Sequence, residues 1–263
     1  MVWLTSQSVW VLIIGCLVIA IAVAFGARQL ALVAIPLEER DHAHSVAAAL
    51  MTAFAAAFAL LTALTLANEV NSLSSAQTIV STESANAASL AWASTNPEVD
   101  TVPIQKALGD YLVATRTFEW QGNAAANGAD PATANALAVL ERTVRSQAAR
   151  PGVGTATGME LLTNVDALTS QRRLRLAAAS HSLPDFYAIL VVLTGMALIV
   201  NTSVVGIRGG LRSALVTASL TIVIALSVAL LLSLATPWRG AITVSGHPID
   251  SVVRDLHTNY FQR

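Results

Sequence analysis

Glu38, Glu39, Asp41, His42 and His44 fall within the seven-residue stretch "EERDHAH". Carboxylates gathered at the mouth of a passage concentrate cations. The two imidazoles titrate near neutral pH or serve as metal ligands. The same cluster also reads as a solvated loop. It supplies no set of three or four ligands at a zinc-type spacing, so no metal site is assigned. A second group of charges is more widely spread. Glu69 and Glu83 are fourteen residues apart and Asp166 and Arg173 seven, spacings that return a helix to nearly the same face. An acid from the first pair meeting Arg172 or Arg173 would hold two helices in register; the alternative is that these charges line a vestibule. No catalytic constellation accompanies them: there is no Gly-x-Ser-x-Gly, no Walker-type loop and no His-Glu-x-x-His. "GVGTATG" follows no strand, which argues against phosphate binding. We therefore expect neither an enzyme nor a cofactor.

The elements that must position these residues are set by an uneven distribution of charge. The chain has 263 residues, 54% of them apolar and only 12% charged, where soluble domains carry about 25% charged residues. Net charge is −1, so no basic face is offered to a nucleic acid. Four uncharged blocks stand out: Met1 to Ala27, Ser45 to Asn68, the stretch between Asp185 and Arg208, and the stretch between Arg212 and Arg239. Each is long enough to cross a hydrocarbon core of about 30 Å as a helix of about 20 residues. The first block lacks a basic leader and exceeds the usual apolar length of a signal peptide, so it is read as a retained anchor. None of the blocks contains an ionisable carboxylate or amine, which argues against a proton-coupled transporter. Asn201, midway along the third, is suited to an interhelical hydrogen bond. Cys16 is the sole cysteine, which excludes an intrachain disulfide.

Four spans place both termini, and the long segment between spans two and three, on one side. Trp3, Trp10, Phe186, Tyr187 and Trp238 then fall near one membrane interface, where amphipathic rings settle. Arg28 follows an uncharged N-terminal tail and favours a cytoplasmic location for the short loops, whereas "QRRLR" at 171–175 pulls the other way. On balance this reading puts the 69–185 segment outside the cytoplasm, in a plasma-membrane protein.

In span two, Met51, Phe54, Phe58 and Leu61 share one helix face, and the other faces are largely alanine. Small residues let membrane helices approach closely. One reading has the alanine faces packing against neighbours while Phe54 and Phe58 ring a symmetry axis, where an apolar constriction gates by dewetting. The other has both rings filling gaps between helices or facing lipid.

The 69–185 segment reads as helical throughout. Span two is expected to continue out of the membrane to near Thr95. A helix over "PIQKALGDYLVATRTFEW" follows, then one opened by Pro131 and stopped at Pro151-Gly152, then one from about Met159 to Ser182 with Leu161, Leu162, Val165, Leu168, Leu174 and Leu176 on an apolar face. Glu119-Trp120 is read as an anchor of its helix against the domain or the membrane surface.

The resulting order of motifs, "EERDHAH", "ANEV", "STESANAASLAWAS", "YLVATRTFEWQG", "LTSQRRLRL" and "PWRGAITVSGHPIDSVV", resembles the bacterial bestrophin-like domain family over nearly the whole chain. Where that family follows Glu-Trp with proline, this chain has Gln121; where it has a tryptophan after the proline at 184, this chain has Phe186-Tyr187. The resemblance implies a four-span protein distantly similar to the bestrophins, pentameric channels whose neck is lined by bulky apolar side chains of the second span. It also implies cytoplasmic termini, against the charge reading above. Our expectation is an all-α integral membrane protein. It comprises spans one and two in 1–68 with a polar loop at 28–44, a helical extramembrane domain at 69–185, spans three and four in 186–238, and a tail at 239–263. The expected function is an oligomeric ion channel or pore, with the lipid bilayer and further copies of the chain as partners. The alternative is a non-conducting scaffold or accessory subunit that acts through membrane protein partners.

Overall fold

The computed structural model describes residues 9–120, 128–180, 185–208, 210–234, 238 and 242–262, without the side chains of Asp185, Arg208, Leu211 and Arg212. Every regular element among them is a helix: α1 (Val9–Ala34), α2 (Arg40–Ala93), α3 (Thr101–Phe118), α4 (Pro131–Ala148), α5 (Thr155–Ser180), α6 (Asp185–Val205), α7 (Leu211–Leu234) and α8 (His247–His257), with single 3-10 turns at Leu37–Glu39, Gly206–Arg208 and Tyr260–Gln262. Four of these helices are long and apolar enough to cross a membrane: α1, α2, α6 and α7. The chain clusters into two units. The first holds α1, α2 as far as Asn71, α6 and α7. The second holds α2 from Ser72, α3, α4, α5, α8 and Trp238.

In the first unit α1 packs on both α6 and α7. Its end is closed from the next element: Arg40 donates from Nη2 to Leu32 O at 2.9 Å and from Nε to Ile35 O at 3.3 Å. These carbonyls lie at the end of α1, where helical partners run out. The apolar core joins Ala20, Phe58, Val191, Leu198, Ile199 and Ile224. Polar side chains inside it find backbone partners. Asn201 Nδ2 donates to Ala47 O at 2.8 Å, the interhelical bond expected of it, and Ser203 Oγ donates to Ile199 O at 2.8 Å.

The second unit is a helical bundle with a dense apolar core that includes Val80, Leu90, Ile104, Leu108, Leu112, Leu140, Leu161 and Leu168. Helix boundaries follow local chemistry. Asp130 caps α4 by accepting from Ala132 N and Thr133 N, with Pro131 in the first turn where its missing N–H costs nothing. The α4–α5 turn contains Gly152 at φ +101°, a left-handed conformation that disfavours any side chain. α5 starts at Thr155, a turn earlier than the expected Met159. The reason is a cap from a distant residue: Glu98 accepts from Gly154 N at 2.8 Å and from Thr157 Oγ1 at 3.2 Å. The "GVGTATG" stretch is thereby tied down rather than left as a free joint. The C-terminal segment belongs to this unit. Phe261 is buried edge-to-face against Trp92, and Gln262 Nε2 donates to Gln105 Oε1 at 3.0 Å.

Glu98 supplies a carboxylate to the positive end of α5. Glu98→Ala is expected to cost about 1 kcal/mol, read as a fall of about 2–4 °C in the Tm of the full chain in detergent.

Candidate functional site

The principal cluster of ionisable groups lies in the core of the second unit. Glu83 comes from α2, Tyr111 from α3, Glu119 from the residue that closes α3, and Arg172 and Arg175 from α5. Tyr111 Oη donates to Glu83 Oε1 at 2.7 Å, and Arg175 Nε donates to Glu83 Oε2 at 2.7 Å. Arg175 reaches on with Nη2 to Glu119 Oε2 at 3.0 Å. Arg172 grips the same carboxylate from Nε at 3.2 Å and from Nη2 through Oε1. Glu119 Oε1 also accepts from Asp130 N at 3.0 Å, fixing the entry to α4. Arg175 is 1% exposed and Glu83 not at all. Two carboxylates and two guanidinium groups thus alternate in a closed, charge-balanced chain.

Burial and the Glu83 carboxylate hold the Tyr111 phenol well above its ordinary pKa, so it remains a donor. Burial alone would lower the Arg175 pKa, but Glu83, Tyr111 and Glu119 outweigh it and keep the guanidinium charged. Both carboxylates accept hydrogen bonds from donors within the protein. The arrangement clamps α2, α3 and α5 together.

Aromatic packing extends the cluster. The Trp120 ring lies under Arg116 at 4.8 Å and Arg175 at 5.8 Å, and edge-to-face with Trp238 at 5.6 Å. Arg116 also makes a bidentate pair with Asp250 at 2.7 and 3.1 Å. Gly246 leaves room for it: a Cβ there would displace the Arg116 guanidinium from its place beside Asp250.

Several residues singled out in the sequence stand differently from that reading. The pairing with α5 uses Arg175, which was not singled out, and Arg172; Arg173 is exposed, as is Asp166. Arg172 and Arg175 continue the buried series Leu161, Val165, Leu168 at steps of three and four, and Arg173 falls off it. That series was the available signal. Leu174, also off it, is exposed despite being apolar. Of the two readings of Glu119, an anchor against the domain or against the membrane surface, its side chain takes the first, buried in ion pairs with α5. Trp238 is 5% exposed and packed in the core of the second unit, which leaves its ring no face for a bilayer. Trp10, Phe186 and Tyr187 are exposed, and Trp3 lies outside the described residues.

In the first unit, Glu69 is buried. Glu38, Glu39, Asp41, His42 and His44 are all exposed, with His44 Nδ1 3.0 Å from Val205 O. Among the described residues no three His, Cys, Asp or Glu side chains are grouped to hold a metal. Phe58 is 7% exposed and turned into the bundle. A Cβ on Gly195 would come 3.1 Å from its Cε2 and 3.1 Å from Ile224 Cγ2, so Gly195 forms the notch that receives the ring. Met51, Phe54 and Leu61 are half-buried on the same face. The single chain thus has the phenylalanine face inside and the opposite face, with Ala49, Thr52, Ala56, Leu60 and Ala63, exposed. Within the single chain the Phe58 ring is therefore packed between α6 and α7.

Removing one member of a buried ion pair strands the other. Arg175→Met is expected to cost about 3–5 kcal/mol, and Arg173→Met no more than about 0.5 kcal/mol, compared by chemical unfolding in detergent. Tyr111 carries a raised folded-state pKa, so its contribution is complete below about pH 10 and is lost as pH climbs towards the folded value. Tyr111→Phe is expected to flatten that alkaline loss, followed by circular dichroism.

Comparison with known proteins agrees with the architecture. The description Bestrophin-like domain matches residues 18–249. That stretch takes in α1 from Val18, the other three membrane-length helices whole, and the ion-pair network. No curated protein and no solved structure matches the chain. The family is of channel type rather than enzymatic. On the match over most of its length, the chain belongs to the bestrophin-like domain family.

Proposed function

We propose that the protein is an oligomeric ion channel or pore of bestrophin type in the plasma membrane, with α2 lining the passage. The observation that carries this is the uncovered face of α2. From Ala49 to Ala63 the exposed side is mostly alanine, with Leu50, Thr52 and Leu60, and it carries no charge. Lipid tails gain little from such a surface, whereas a second helix gains close van der Waals contact. Copies of α2 brought together on this face surround an axis lined by small residues. Glu38 and Glu39, exposed just before α2, and Asp41, His42 and His44, exposed in its first turns, would stand at one mouth and favour cations. Met51, Phe54, Phe58 and Leu61 take a supporting role, bracing α2 from behind. The second unit lies outside the cytoplasm in this proposal, and no catalytic step is assigned.

One observation favours the alternative of a non-conducting scaffold or accessory subunit. Phe58 packs within its own chain, as a protein without a phenylalanine neck would have it.

Ion flux through the purified protein in liposomes separates the two. Wild-type flux, abolished by Ala56→Trp in a variant that keeps its oligomeric state by mass photometry, is the expected result. Phe58→Ala is expected to lower stability by about 3 kcal/mol through the cavity it leaves before it changes ion selectivity. No flux from folded, oligomeric wild type would transfer the proposal to the scaffold. Labelling of Thr155→Cys on a Cys16→Ala background, from outside intact cells, tests the orientation; protection until lysis would reverse it.

A further inference from the structure

A cleft of about 220 Å³ opens between α1 and α7 in the first unit, and its lining changes character along its length. At one end stand Arg28, Ser213 and Thr217. Gly206 makes this end possible: a Cβ there would lie 2.9 Å from Ser213 Oγ and 3.2 Å from Thr217 Oγ1, so only a bare backbone lets both hydroxyls close in. α7 begins at Leu211, so the partial positive charge of its N-terminus falls at the same end. Beyond it the walls are mainly Phe25, Ala218 and Ile222, with the hydroxyls of Ser203 and Thr221 turned back onto Ile199 O and Thr217 O of their own helices. Arg28 and Ile21 are seven residues apart on α1, about 10 Å of helix. The cleft therefore runs from a cationic, hydroxyl-rich mouth into an apolar slot over roughly that depth.

That gradient is the inverse image of a phospholipid. We propose that this cleft is a binding site for one anionic phospholipid, its phosphate held by Arg28, Ser213 and Thr217 and an acyl chain laid along Phe25, Ala218 and Ile222. No carboxylate is among the residues lining the cleft. A zwitterionic lipid gains the phosphate contact but finds nothing to receive its ammonium, whereas a lipid with net negative charge loses nothing. Thr217 Oγ1, free of any hydrogen bond recorded among the described residues, keeps its donor for the phosphate; Ser213 Oγ makes only a long contact of 3.4 Å to Gly206 O. Basic pockets between membrane helices bind anionic headgroups by the same physics. The site is separate from the α2 surface on which the channel proposal rests, and its occupancy does not require conduction.

The test uses the full-length protein in detergent, with native mass spectrometry and thermal unfolding as readouts. The probes are dioctanoyl phosphatidylglycerol, dioctanoyl phosphatidylcholine and inorganic phosphate. The expected result is retention of one phosphatidylglycerol per chain in preference to phosphatidylcholine, with a rise in Tm that phosphate alone does not produce. Arg28→Gln, at an exposed position, is expected to weaken phosphatidylglycerol about fivefold and to remove most of its preference over phosphatidylcholine. Ala218→Phe, which fills the slot, is expected to weaken both lipids. Equal binding of the two lipids by wild type, or phosphatidylglycerol binding indifferent to both substitutions, would overturn the proposal. Equal protection by inorganic phosphate would overturn it as well, reducing the cleft to a free-anion site.

Discussion

Charges in a protein interior persist only as a closed set. Removing a carboxylate or guanidinium from water costs several kcal/mol, which mutual attraction offsets only where geometry is good and the remaining hydrogen-bonding positions are filled. Tyr111, Glu83, Arg175, Glu119 and Arg172 meet that condition, and Asp130 N supplies a further donor. Because members come from α2, from α3 and its closing residue, and from α5, the requirement to pair them fixes the relative register of those helices. A slip of one turn on any of them would leave a buried charge alone. Apolar packing of Leu108, Leu112, Leu140 and Leu168 alone tolerates several registers; the ion pairs select among them.

The first unit answers to a different solvent. Between helices in a bilayer no hydrophobic gain is available, and contact depends on shape and on satisfied polar groups. Phe58 seated at Gly195, Asn201 bonded to Ala47 O and Ser203 bonded to its own helix are three forms of that same solution. The alanine-rich face of α2 is left uncovered by this packing within the chain.

Both units use glycine where a neighbour must come close. Gly195 admits a ring, Gly206 two hydroxyls and Gly246 a guanidinium. In each case a side chain from another helix occupies the space that a Cβ would take. Such positions tie together elements far apart in sequence, as Glu98 does when it caps α5 from the α2–α3 turn.

The sequence by itself determined the all-helical class, the four membrane-length helices, the long continuation of span two and the family, because each depends on local composition, helical period and motif order. Proline and glycine punctuation placed the ends of α2, α3 and α4 to within a few residues, and missed the start of α5 because its cap is contributed from 56 positions away. Tertiary structure alone decided which face of α2 is covered: Met51, Phe54, Phe58 and Leu61 mark an apolar face, but only the presence of Gly195 and Ile224 opposite makes it an interior one. It also decided that Arg175 rather than Arg173 enters the network. Charge normally signals a surface, and the stripe shared with Leu161, Val165 and Leu168 outweighs that signal only once Glu83 and Glu119 stand across from it. Trp238 moved from an expected membrane belt to a protein core for a related reason. A ring's preference for an interface is satisfied equally by Trp120, and which of the two it meets is a fact of three dimensions.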